Sequence, residues 1–349
     1  MKGLVKLFAS DIMTPLPFVS IIIPAKNEEK LLRGCISSLH QLDYPKDRIE
    51  IIIVDGLSTD NTAGVAREMG AKVISNAKQT VSPGRNIGFE NAKGDLIAFT
   101  DADCIVDPHW LSNCIKYFEN DPTVACAGGP NLTPADESNF GKAVGFVFDQ
   151  PIFAAGSIHA RELNEVKEVS SIPGCNAIYR QSILAQVMPL DESMLTGDDT
   201  LLNRKILDLG CKLLYTPDVI VFHYRRPTPR KLWRQFYRYA IGRLQIGKKD
   251  KRLLNLAHVL IGLSLPLGLL TVFILVWSKS FLVLSCIMIF AFLFLLYFSI
   301  KGMIKWKSVG VGLQVPLVIV LIMTAWSVGF VREMVFPMPP LVPLSPFAP

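Results

Sequence analysis

Hydrophobic positions change rhythm twice along this chain. From Phe18 to about Pro130, short apolar runs alternate with segments of helical periodicity, a pattern that predicts βα units and a largely parallel sheet. Residues 19–23, 49–54 and 96–100 are rich in strand-forming side chains, and each run ends in a polar cluster. The clusters read Pro24-Ala25-Lys26-Asn27-Glu28-Glu29, Asp55-Gly56-Leu57-Ser58-Thr59-Asp60 and Asp101-Ala102-Asp103. Functional groups of open α/β sheets gather at the carboxyl ends of strands, so the three clusters are expected along one edge. Beyond Pro130 the rhythm is irregular, through residues 131–139 and Ser171-Ile172-Pro173-Gly174-Cys175-Asn176, and reads as the second half of one continuous domain. After residue 255 polarity nearly disappears. Residues 259–277, 281–300 and 309–330 are free of charged side chains, and each is long enough to cross the roughly 30 Å hydrocarbon core as a helix.

Composition agrees with that division. Half the residues are hydrophobic and mean hydropathy is +0.35, too apolar for an ordinary soluble protein of 349 residues. Charge then sets the orientation. Residues 225–252 carry eleven Lys or Arg against the single acid Asp250, and three lysines lie within residues 301–307. The positive-inside rule puts both segments, and the domain before them, on the cytoplasmic side of a multi-pass cell-membrane protein, with the tail after Phe330 outside. The net charge of +6 comes largely from that basic run, which points to anionic lipid or phosphate and not to nucleic acid. Residues 231–247 place Trp233, Phe236, Tyr237, Ala240 and Leu244 on one helical face, as expected of a helix lying along the lipid surface. Seven cysteines without a C-x-x-C pair fit reduced thiols better than a zinc site or a disulfide framework. No cleavable signal peptide is expected, because the apolar runs of residues 1–13 are broken by Lys6 and Asp11.

Two acidic pairs could carry chemistry. Asp101-Ala102-Asp103 directly follows an apolar strand, where alternate carboxylates can share a hard cation and a diphosphate; the competing explanation is a solvated turn or a helix cap. Gly197-Asp198-Asp199 precedes a helical run at residues 201–209, where capping is the local alternative. A lone His223 is more often structural, Arg85 alone would be a surface arginine at a helix start, and Glu28 would serve equally as a first-turn acid favoured by the helix dipole.

Taken in order, these clusters resemble family 2 of the glycosyltransferases, inverting enzymes with the GT-A fold, over residues 18–243. Pro24, Ala25, Asn27 and Glu28 stand in what looks like the opening loop, and Asp55 in the nucleotide-binding turn. Gly56 replaces a second acid that the family often has there. Pro83-Gly84-Arg85-Asn86-Ile87-Gly88 and Phe99-Thr100-Asp101-Ala102-Asp103 are similar to the run into the family's metal motif. The resemblance implies that Arg85, Asp101, Ala102 and Asp103 line the nucleotide sugar, and that Asp101, Asp103 and His223 bind Mn²⁺ or Mg²⁺. It implies Asp199 as the base that takes the acceptor proton, with Asp198 orienting it or binding acceptor. Gly174, Cys175 and Asn176 resemble an acceptor-side loop. Gln235-Phe236-Tyr237-Arg238-Tyr239 is similar to the Q-x-x-R-W motif of membrane-bound synthases, with Gln235 and Arg238 toward the donor and Tyr239 in place of Trp toward the acceptor.

The expected architecture is therefore a GT-A α/β domain with a mostly parallel central sheet at residues 18–228, followed by a helical transmembrane domain. Residues 1–17 are open between an amphipathic helix and a packing strap. Interfacial helices occupy residues 229–255, three spans fall within 256–336, and residues 337–349 form a proline-rich tail. The expected activity is metal-dependent, inverting transfer of a hexose from GDP-mannose or a UDP-sugar to a membrane acceptor such as a polyisoprenyl (dolichyl) phosphate or a lipid-linked saccharide. The alternatives are a processive polysaccharide synthase, a nucleotidyltransferase and a non-catalytic nucleotide-sugar-binding protein. The bilayer is the expected partner, and the intact carboxylates argue against the non-catalytic reading.

Overall fold

Alternating side chains of the β-rich runs are buried on both faces, so these runs become inner strands of a sheet covered on both sides. The computed structural model describes residues 16–153, 162–194 and 196–339; most of the N-terminal segment and the last ten residues of the tail lie outside the described residues. The first half runs β1 (Val19–Ala25), α1 (Glu29–His40), β2 (Ile49–Asp55), α2 (Thr62–Glu68), β3 (Lys72–Ser75), α3 (Val81–Glu90), β4 (Leu96–Thr100), β5 (Cys104–Val106), α4 (Trp110–Asn120), β6 (Val124–Gly128) and β7 (Asn131–Leu132). It continues with α5 (Asn139–Asp149), β8 (Lys167–Glu168), β9 (Asn176–Arg180), α6 (Gln181–Leu184), α7 (Asp198–Asp208), β10 (Lys212–Tyr215) and β11 (Val221–His223). Four helices close the chain: α8 (Pro229–Lys249), α9 (Leu256–Trp277), α10 (Phe281–Trp306) and α11 (Val309–Val335).

Eight strands form the main sheet in the order β3-β2-β1-β4-β9-β6-β10-β8. All are parallel except β9, antiparallel to both its neighbours, and β8, antiparallel to β10. Ile21 and Ile23 pack under α1 and α4, whereas Ile22 joins Ile52, Phe99 and Tyr179 on the other face. Each of the three isoleucines is fully buried and contributes roughly 1.5–3 kcal/mol relative to an exposed position. The amphipathic pattern of α1, with Leu32, Cys35, Ile36 and Leu39 buried, covers one side.

Two strand registers bring distant residues to the tip of β4. Insertion of β9 between β4 and β6 sets Asn176 beside Thr100, and Thr100 Oγ1 donates to the Cys175 carbonyl at 3.0 Å. A small second sheet, β5-β11-β7, pairs His223 with Cys104. Residues separated by more than a hundred positions thus meet just past the end of β4.

Of the three residues expected in an acceptor-side loop, Gly174 and Cys175 precede β9 and Asn176 is the first residue of that central strand. Asn176 is fully buried, with its amide spent on Trp110 Nε1 (2.8 Å), the Pro130 carbonyl (3.2 Å) and the Val219 carbonyl (2.9 Å). It fastens the sheet to α4 and to the turn before β11, which corrects its assignment to an acceptor loop. Replacing Asn176 by Ala strands the Trp110 donor and the Val219 carbonyl, while the Pro130 carbonyl keeps the Val221 amide, so a loss of about 2–3 kcal/mol is expected. Denaturant unfolding of the detergent-purified protein measures it, and an unchanged midpoint would contradict this role.

Candidate active site

The loop after β1 is tied to the loop after β2. Asn27, at φ 57°, accepts from the Thr59 amide at 2.8 Å, and its own amide donates to Ser58 Oγ at 2.9 Å. Asp55 is buried and accepts from the Ser58 amide at 3.2 Å. A Cβ on Gly56 would lie 3.3 Å from Lys26 Cβ, so close packing accounts for glycine there. Pro24 packs against Gly84, where a Cβ would come within 3.1 Å, and so sets the approach of α3. Ala25 and Ala102 turn into the core.

Arg85 projects from α3 into the space beyond β4. Its Nη1 donates to Asp198 at 2.9 Å, its Nη2 lies 3.4 Å from Asp101, and the guanidinium sits 5.4 Å above the Phe99 ring. The surface-arginine alternative is thereby excluded, since Arg85 is 5 % exposed. Burial opposes its charge, but Asp198, Asp101 and Asp199 outweigh that and hold the guanidinium above its ordinary value. A Cβ on Gly174 would fall 2.5 Å from Arg85 Nη1, so glycine is what admits the guanidinium.

Helix α7 begins after Gly197, at φ 87°, and presents both acids of its first turn. Asp198 does not cap the helix; it faces Arg85, and burial raises its pKa against the pull of that guanidinium. Asp199 accepts from the Thr200 amide at 2.7 Å and from the Gly174 amide at 3.2 Å, leaving its carboxylate half-buried beside the same cleft. Arg85 and Gly174 therefore link both acidic pairs in one constellation.

Asp103 lies across from Asp101. Its carboxylate meets His223 Nε2 at 3.2 Å and Arg226 Nη1 at 3.2 Å. Although burial pushes the Asp103 pKa upward, His223 and Arg226 prevail and bring it to about 2. Asp101 rises to about 6, chiefly through burial, with Arg85 pulling the other way. His223 rises to about 10: burial disfavours its charge, but Asp103 more than compensates. One ligand atom each from Asp101, Asp103 and His223 lies within 4.8 Å of the other two. Two hard oxygens and an imidazole nitrogen at this spacing fit a divalent cation of the Mn²⁺ or Mg²⁺ type. Cys175 Sγ is 3.7 Å from His223 Nδ1, so this residue packs behind the histidine.

Glu28 stands at the start of α1 without capping it, and its pKa is raised to about 7 by burial and by Asp103 and Asp101. On α8, Gln235 donates to the Tyr239 hydroxyl at 3.0 Å, and Tyr239, 37 % exposed, feels both Arg226 and Asp199. Arg238 is exposed beside Arg234, and its link to this region is a backbone carbonyl that accepts from Thr196. The structure does not bring the Arg238 side chain to the acids. Arg226 and Arg243, which senses Asp199, were legible only as membrane-facing charge. The cue for Arg226 is its place three residues after His223.

Residues 20–188 match Glycosyl transferase family 2. The chain is similar to Glycosyltransferase AglE of Haloferax volcanii, 27% identical over 242 residues that cover 68% of this chain and 76% of that protein. It is also similar to the Methanococcus voltae Dolichyl N-acetyl-alpha-D-glucosaminyl phosphate 3-beta-D-2,3-diacetamido-2,3-dideoxy-beta-D-glucuronosyltransferase, 29% identical over 64% of this chain and 72% of that one. Among solved structures, the mannosyltransferase PcManGT from Pyrobaculum calidifontis, in complex with GDP-Man and Mn²⁺, superposes with a TM-score of 0.63 over 91% of this chain and 88% of its own, at 17% identity. Sequence relatives and fold agree, and three C-terminal helices are long and apolar enough to cross a membrane. Residues 20–188 thus form a family 2 glycosyltransferase domain within a GT-A fold, and the chain continues into three helices long and apolar enough to cross a membrane.

Proposed function

We propose that this enzyme transfers a hexose, with inversion, from a nucleoside diphosphate sugar to a membrane-associated acceptor such as a polyisoprenyl phosphate or lipid-linked saccharide, on the cytoplasmic face. The observation that carries the reading is the joining of Asp101 to the Asp198–Asp199 pair through Arg85 and Gly174, with Asp103 and His223 clustered beside Asp101. The dolichyl-phosphate relative supports a lipid-linked acceptor, and the GDP-Man and Mn²⁺ bound by the structural neighbour support a metal-assisted donor site. The basic run at residues 225–252 supports the cytoplasmic placement.

In this reading Asp101, Asp103 and His223 hold the cation, which when bound neutralises charge on the departing nucleoside diphosphate. As a ligand His223 would give up its ring proton to solvent, and Arg226, paired with Asp103 in the structure, would be free to pair with phosphate once a cation took its place. Arg85 fixes Asp198 and limits repulsion among the acids. Asp199 accepts its bonds from backbone amides and a hydroxyl, keeps lone pairs free, and takes the acceptor proton as the acceptor attacks the anomeric carbon. Tyr239, steadied by Gln235, offers a ring for sugar stacking.

Asp199→Asn should lower transfer about 10²–10⁴-fold while leaving nucleotide affinity nearly unchanged; full turnover by the purified variant would remove the base assignment. Chelation should abolish transfer and Mn²⁺ should restore it, and Asp103→Ala should weaken metal-dependent binding of GDP or UDP by about tenfold or more. Calorimetric titration with and without metal reads this directly, and equal affinity in both conditions would contradict the cation site.

A further inference from the structure

By length and apolarity α11 reads as a third span, yet both of its ends rest against the catalytic domain. At its start, Asn139 of α5 lies 3.5 Å from Ser308 Oγ, and a Cβ on Gly310 would come within 2.6 Å of that asparagine. Val311, Val315 and Val318 then share an apolar cluster with Phe140 and Val144 of α5. At its far end, Glu333 pairs with Lys248 of α8 at 2.9 Å, and a Cβ on Gly329 would fall 2.4 Å from the Tyr237 carbonyl.

Helix α8 itself stays on the domain side. Seven of its 21 residues are Lys or Arg, too many to enter hydrocarbon. Its last turn is fastened to the domain by the Lys249–Asp191 pair and by Ile246, which fills the space beside Gly197. A helix of 27 residues extends about 40 Å, and one that crossed a hydrocarbon core of roughly 30 Å would carry its two ends to opposite sides. The two anchors forbid that.

Contacts with the neighbouring helices agree. The start of α9 meets the end of α11: Leu265 N donates to Ser327 Oγ at 3.2 Å, and Trp326 Nε1 to the His258 carbonyl at 3.3 Å. The end of α10 meets the start of α11, where Ser299 Oγ donates to the Gly312 carbonyl at 2.7 Å. Three spans traversed in succession would instead bring the start of α9 to the start of α11. Helices α9 and α10 are thus two legs meeting at the turn of residues 278–280, and α11 is the crossbar joining their feet. Burial matches this geometry: the apolar windows of α9 and α10 are each 6% buried, that of α11 39%. The outward strip of α11, with Leu313, Leu317, Val320 and Val328, is apolar and exposed.

We infer that α11 does not cross the membrane but lies along the leaflet beneath the catalytic domain, its outward strip seated on acyl chains. Among the described helices the α9–α10 hairpin alone spans the bilayer, and the chain returns at Phe336 to the side that holds the active site. This replaces the outside position expected for the residues after Phe330. Because α8 carries Tyr239 and rests on α11, the crossbar also fixes the height of the site above the lipid.

Site-directed labelling of the full-length protein in sealed vesicles tests this. With Cys211 and Cys286 changed to Ser, the remaining five cysteines are buried. Single cysteines are then introduced as Glu90→Cys in the catalytic domain, Ser278→Cys in the hairpin turn and Phe336→Cys after α11, and reacted with a membrane-impermeant maleimide. Phe336→Cys should label together with Glu90→Cys and at a similar rate, while Ser278→Cys should show the opposite sidedness until detergent is added. Labelling of Phe336→Cys with Ser278→Cys overturns the inference. Should a cysteine variant fail to fold, protease protection of an epitope appended after Pro349 gives the same answer: protection on the side opposite to the catalytic domain overturns it, and cleavage together with the domain supports it.

Discussion

A single buried guanidinium holds the candidate site together. Arg85 is clasped between Asp198 and Asp101, beneath the end of β4, in space that only a glycine at position 174 leaves open. Without that positive charge, four aspartates from two distant segments would face one another in a partly desolvated cleft, and like charges at such distances cannot all remain ionised. The sheet register makes the clasp possible, because β9 runs antiparallel beside β4 and delivers Gly174 to the tip of that strand. Strand order, glycine and arginine are therefore one constraint.

Asp101 and Asp103 receive different partners from their surroundings. Asp101 shares Arg85 with Asp198, whereas Asp103 pairs with His223 and Arg226. Incoming cation and phosphate can replace these internal pairs by equivalent ones without leaving a buried charge alone. The same segment that supplies His223 and Arg226 continues into α8, so the chemistry is wired directly to the membrane-facing helices. The candidate cation site and the helices proposed to meet lipid thus share one piece of backbone.

Much of this was legible in the sequence where the signal is local. The runs at β1, β2 and β4 announce themselves by apolar strand-formers ending in polar clusters, and Asp101, Asp103, Asp198 and Asp199 stand out by spacing and by family resemblance. What escaped depends on long-range pairing. Asn176 looks like a loop residue because nothing nearby in the sequence says that it enters the middle of the sheet. Arg226 and Arg243 were submerged in a basic run whose average charge points to lipid, although Arg226 pairs with Asp103 and Arg243 lies within electrostatic reach of Asp199. Hydropathy likewise measures how apolar α11 is and carries no information on which partner covers it. Its anchors at Asn139 and Lys248, with its contacts to α9 and α10, disclose its direction.

The most direct test of the central claim is to locate the cation itself. Anomalous diffraction from crystals grown with Mn²⁺ and GDP or UDP should give one peak within coordination distance of the Asp101 and Asp103 carboxylates and the His223 ring, with Asp199 facing it across the cleft. A peak bound elsewhere with the nucleotide in place, and those carboxylates still paired to Arg85 and Arg226, would contradict the account.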